Sequence, residues 1–162
     1  VRSTYLGNAV LVRPIVKYWL PVIAWVLLIF AASGDLMSAE HTSRFIGPFL
    51  RWLVPDITDA TIAAVQLFAR KCAHLAEYAV LAALVCRAFR QSIARLWHAA
   101  FFAFVIAAAC ASLDEFHQSF VASRTGTPVD VAVDCCGAVI GLAIYRWLGR
   151  ARTSPKRTAF IP

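Results

Sequence analysis

Four apolar segments limit what this chain can fold into, and polar residues gather at one end of three of them. The segments are YWLPVIAWVLLIFAAS (18–33), CAHLAEYAVLAALVC (72–86), LWHAAFFAFVIAAACASL (96–113) and VAVDCCGAVIGLAIYRWL (131–148). Each falls a little short of the roughly 20 residues that cross a bilayer. Trp19, Trp97, Tyr145 and Trp147 extend them into the interfaces, where amphipathic rings settle. A backbone in hydrocarbon must satisfy its own hydrogen bonds, so the segments read as helices; barrel strands would be shorter and would alternate. The expected fold class is all-α, a polytopic membrane bundle of four transmembrane helices. Composition agrees. The chain is 60% hydrophobic and 15% charged, where a soluble domain has about 25% charged residues.

The 162 residues suit one domain. The net charge of +7 does not point to nucleic acid, because no basic stripe lies along a polar helix. Instead it sets topology. Arg2, Arg13, Lys17, Arg87, Arg90, Arg95, Arg146, Arg150, Arg152, Lys156 and Arg157 lie at one end of the spans. Only Arg44, Arg51, Arg70, Lys71 and Arg124 lie at the other. Both termini are therefore expected in the cytoplasm, with residues 151–162 as a basic cytoplasmic tail. The competing reading is a cleaved leader over residues 10–33, which would leave three spans. Cys72, Cys86, Cys110, Cys135 and Cys136 sit in apolar stretches without zinc-site spacing. They read as small packing residues.

Between spans one and two, FIGPFLRWLVPDIT repeats its apolar residues at helical spacing. It reads either as an amphipathic helix in the outer interface, ended by Pro55, or as a loop packed over the bundle.

The polar residues converge. Arg70, His74 and Glu77 share one helix face by spacing, with Lys71 and Tyr78 on the adjacent one. Asp114 and Gln118 lie four apart at the outer end of span three, beside Glu115. Asp130, Asp134, Gly137 and Gly141 form a stripe at the start of span four. Ionisable groups in a bilayer cost about 2.5–3.5 kcal/mol each on insertion scales, so they persist where they pair or line a polar cavity. A lattice of ion pairs that fixes helix register is the structural explanation for any one of them. The number of groups points to a site. Gly137 and Gly141 read as close-packing residues, and Gly126 as a turn residue.

These residues resemble the VanZ-like family of bacterial integral membrane proteins. That family pairs K-x-x-H-x-x-E-Y with a downstream D-E-x-x-Q-x-F-x-x-x-R-x-G-x-x-x-D-x-x-x-D-x-x-G. The matching positions are Lys71, His74, Glu77 and Tyr78, then Asp114, Glu115, Gln118, Phe120, Arg124, Gly126, Asp130, Asp134 and Gly137. The matching core covers about residues 69–145. The usual proline after Phe120 is absent, and cysteines stand at 135 and 136 where many members have an Asn. The resemblance implies a multi-pass protein of the bacterial cytoplasmic membrane. One member gives the family its link to resistance against teicoplanin, a lipid-tailed glycopeptide antibiotic.

Three functions compete. In the first, Arg70, Lys71, His74, Glu77, Tyr78, Asp114, Glu115, Gln118, Arg124, Asp130 and Asp134 recognise or modify an envelope lipid or lipid-tailed molecule. The arginines and lysine would meet phosphate or carboxylate, and the carboxylates would meet ammonium or hydroxyl. Membrane lipids, a lipid-tailed glycopeptide or a cell-wall precursor are the expected partners. In the second, His74 as a base oriented by Glu77, with Asp114 and Glu115 as acid–base groups, catalyses a reaction. In the third, Glu77, His74 and Asp134 relay protons in a transporter. No cofactor is expected, and the His and carboxylate spacing matches no metal motif.

Overall fold

The computed structural model describes residues 2–33, 39–120 and 127–153, with side chains described at 15–33, 46–120 and 127–151. Five helices follow in order: α1 (Arg2–Ala32), α2 (Ala39–Leu53), α3 (Asp59–Phe89), α4 (Leu96–Gln118) and α5 (Pro128–Thr153). No strand occurs among the described residues. Four helices, α1 and α3 to α5, are long and apolar enough to cross a membrane. The segment between spans one and two does hold a helix, α2, and it ends two residues before Pro55.

The helices outrun the apolar segments that announced them. α3 starts at Asp59, thirteen residues before Cys72. Thr58 caps it through its side chain, which accepts from the Thr61 N–H, and Asp59 adds an acidic residue to the first turn. Both favour a helix start there. Hydropathy saw only the apolar run, because Gln66, Arg70 and Lys71 interrupt it although they are good helix formers. The polar run 70–78 therefore lies in the middle of a 31-residue helix, not at its front.

α3 is the central element and packs against all four other helices. Trp19 stacks edge-on against Phe89 at 5.3 Å, and Trp25 Nε1 donates to the Glu77 carbonyl at 2.9 Å. These contacts set α1 antiparallel to α3. α5 is parallel to α3 and lies closest to it. A Cβ on Gly137 would meet the Leu75 carbonyl, and one on Gly141 the Ala79 carbonyl. Only a residue without a side chain fits there. α4 approaches through Ala99, Ala103, Ala107 and Ala111, each four residues from the next and each buried.

On α4 and α5 the buried positions are alanine, glycine or polar, while the large buried side chains, Tyr78, Leu81, Val85 and Ile29, come from α3 and α1; many other large residues point away. Leu27, Phe101, Val105, Phe116, Val139 and Ile144 are all exposed. In water such a surface would drive aggregation. Against lipid tails it costs nothing, and close packing of small residues holds the helices together instead. α2 lies against the start of α3, tied by an Arg51–Asp59 ion pair. Its Phe49, Trp52 and Leu53 point outward, as in a helix at a membrane interface.

Candidate functional site

The helix geometry brings one polar level together. It consists of the middle of α3, the last turn of α4, the first two turns of α5 and the residue after α1. On α3 the inward positions are Lys71, His74 and Tyr78, spaced by three and four. Arg70, Lys71 and Glu77 are each partly buried. The parallel α5 gives Lys71 and His74 their partners, since it presents Asp130 and Asp134 four apart to the α3 side that carries them.

Lys71 forms an ion pair with Asp130. Asp130 also accepts from Thr127 Oγ1 at 3.0 Å. One turn further, His74 Nδ1 lies 3.2 Å from Asp134 Oδ1. The partner of His74 is therefore Asp134, sixty residues away, and not Glu77, which was expected to orient it. On α4, Gln118 Nε2 donates to Asp114 Oδ2 at 3.0 Å and reaches Ser33 Oγ at 3.4 Å. The backbone N–H of Thr127 donates to Glu115 Oε1. Glu77, Asp114 and Asp134 all lie close to His74 and to the Tyr78 hydroxyl.

Burial is nearly complete. Asp114 and Asp134 are each 1% exposed and Tyr78 is 0% exposed. Among the described residues, four buried carboxylates, Asp114, Glu115, Asp130 and Asp134, share the space with Lys71 and His74, each of which already has a partner. Three buried atoms have no hydrogen-bond partner among the described residues: Tyr78 Oη, Asp114 Oδ1 and Glu115 Oε2. Each such atom costs about 1–3 kcal/mol, more if charged, so a native fold keeps them only where something else satisfies them.

Arg124 and Gly126 lie outside the described residues. Among the described residues no group of three His, Cys, Asp or Glu side chains is arranged to hold a metal ion. Two contributors were missed in the sequence. Ser33 closes α1 with a buried hydroxyl, and its signal was a lone polar residue ending an apolar run. Thr127 opens α5, and its signal was the T-P-V-D stretch, which matches a capping box with proline at the first helical position.

A family model described as VanZ/LLP1 matches residues 18–149, a range that includes all the polar residues just described. No curated protein and no solved structure matches the chain.

Proposed function

The chain belongs to the VanZ/LLP1 family, and on that premise we propose that its polar level recognises the head of an envelope lipid or lipid-tailed molecule. The observation that carries this reading is the trio of buried atoms without a partner among the described residues, Tyr78 Oη, Asp114 Oδ1 and Glu115 Oε2. Two of them are acceptors, and the third can also accept. The preferred ligand group is therefore a donor, an ammonium or a set of hydroxyls. Phosphate is a poorer match to these atoms, because Lys71 is committed to Asp130.

With the termini in the cytoplasm, as loop charge favours, the site faces the outer leaflet. The acyl chains of its ligand lie along the exposed apolar surface of the spans. Amino-headed lipids, lipid-linked cell-wall precursors and lipid-tailed glycopeptides such as teicoplanin all combine an apolar chain with donors. A role in glycopeptide susceptibility is consistent with this chemistry. The second reading, acid–base catalysis on such a ligand, draws on the His74–Asp134 contact. A carboxylate on one ring nitrogen fixes the tautomer and leaves the other nitrogen to exchange a proton.

Native mass spectrometry of the purified protein with bacterial envelope lipids tests the proposal. Wild type should carry a lipid adduct that Asp114→Asn and Tyr78→Phe lose. A bound lipid that changes mass with time would favour the catalytic reading. An adduct equally retained by both variants would remove the polar level from ligand recognition.

A further inference from the structure

The opposite end of the bundle holds a second feature, independent of the polar level. Gly137 and Gly141 draw α5 onto α3, but no described α5 residue after Gly141 is buried. Larger residues, Leu142 and Tyr145, follow the glycines and are only partly buried against the core. Between α5, the start of α4 and the end of α3 lies a half-open crevice of about 1090 Å³. Its wall is mostly apolar, with Phe101 and Phe104 on the α4 side, and Trp97 stands exposed at its lip.

The charge around this crevice has one sign. Arg90, Arg146 and Arg150 line it, and among the described residues no acidic one does. Arg90 Nη1 donates to the carbonyls of Ile93 and Ala94, so the α3–α4 turn fixes its guanidinium in place. Ligand sites typically measure about 300–1,000 Å³, and this crevice lies just above that range. Basic pockets between membrane helices suit anionic lipid heads. Arginine meets phosphate with a fork of donors, and Trp97 has the amphipathic ring that sits at head-group level.

We propose that this crevice holds one anionic glycerophospholipid, its acyl chains between α4 and α5 and its phosphate at Arg146 and Arg90. The phosphate position at Arg146 is about 18 Å along α5 from Asp134, counting 12 residues at 1.5 Å each. Its occupant is thus distinct from any ligand of the polar level. In the charge-based orientation the site lies in the cytoplasmic leaflet.

The test is native mass spectrometry of the full chain with phosphatidylglycerol or phosphatidylcholine carrying the same acyl chains. Wild type should retain phosphatidylglycerol in preference to phosphatidylcholine. Arg146→Gln should lower phosphatidylglycerol occupancy about fivefold, the weight of one basic residue at an anionic surface. Ala143→Phe, which fills the crevice from α5, should abolish it. Both positions are exposed, so neither change disturbs packing. Phe68→Ala, at an exposed position toward the far end and outside the polar level, should leave occupancy unchanged. Equal retention of the two lipids by wild type, or unchanged phosphatidylglycerol occupancy in either crevice variant, overturns the proposal.

Discussion

The two ends of this bundle solve the same problem in different ways. At the polar end directional contacts join the helices: Lys71 to Asp130 and His74 to Asp134 join α3 to α5, the Thr127 N–H to Glu115 joins the start of α5 to α4, and Gln118 to Ser33 joins α4 to the end of α1. At the arginine end α3, α4 and α5 separate around an apolar crevice. Hydrogen bonds made where no water competes specify register, whereas apolar contact in lipid does not. The difference suggests a division of labour. The polar end fixes which residues face one another, and the other end tolerates an occupant of variable chain length.

Glycine offers the strongest way to break this contrast, because it occurs at both ends. Gly141→Leu drives a side chain into the Ala79 backbone carbonyl. Backbone cannot rotate away as a side chain can, so the loss should exceed the roughly 1–3 kcal/mol typical of overpacking. Little folded protein should survive, as read by monodispersity after detergent extraction. A Gly141→Leu protein as stable as wild type would show that α3 and α5 are not tightly joined.

Asp134→Ala comes next. It strands His74 in a buried site and should cost about 2–3 kcal/mol, the range for a hydrogen bond to a charged group. Denaturant titration in mixed micelles would measure it. Asp134→Asn keeps an acceptor and should recover part of the loss; failure to do so would argue against a hydrogen-bonding role.

Tyr78→Phe sharpens the comparison by its sign. Its hydroxyl is buried without a partner among the described residues. Removing a buried polar atom with no partner relieves a penalty, so without ligand the variant should match wild type or exceed it by about 1 kcal/mol. Destabilisation by a similar amount would mean that the hydroxyl is satisfied within the fold.

The smallest effect belongs to the arginine end. A Cβ on Gly149 meets nothing within 4 Å, so Gly149→Ala should raise stability by about 0.5 kcal/mol through helix propensity alone. The same titration would detect it, and a clear loss would mean that the crevice is closed.

Much of the polar end was legible. The four spans, the stripe from Asp130 to Gly141 and the gathering of Asp114, Glu115 and Gln118 follow from spacing within single helices. What spacing could not supply was the partner across helices. His74 has Glu77 three residues away, yet it pairs with Asp134, because α5 runs parallel to α3 at glycine distance. The start of α3 was hidden because polar helix formers interrupt its apolar run. The alanine stripe of α4 was in plain view, but alanine lowers no hydropathy profile and carries no chemistry. The crevice left no local trace, since Arg90 and Arg146 look like ordinary head-group anchors until the structure places them on one rim.

The most direct test of the central claim is an experimental density map of the protein in nanodiscs of bacterial envelope lipid. The account predicts non-protein density reaching in from the bilayer, with a donor group within hydrogen-bonding distance of Asp114 Oδ1, Glu115 Oε2 and Tyr78 Oη. If those three atoms are instead satisfied by protein groups or water alone, the polar level is a structural lattice and the ligand reading is contradicted.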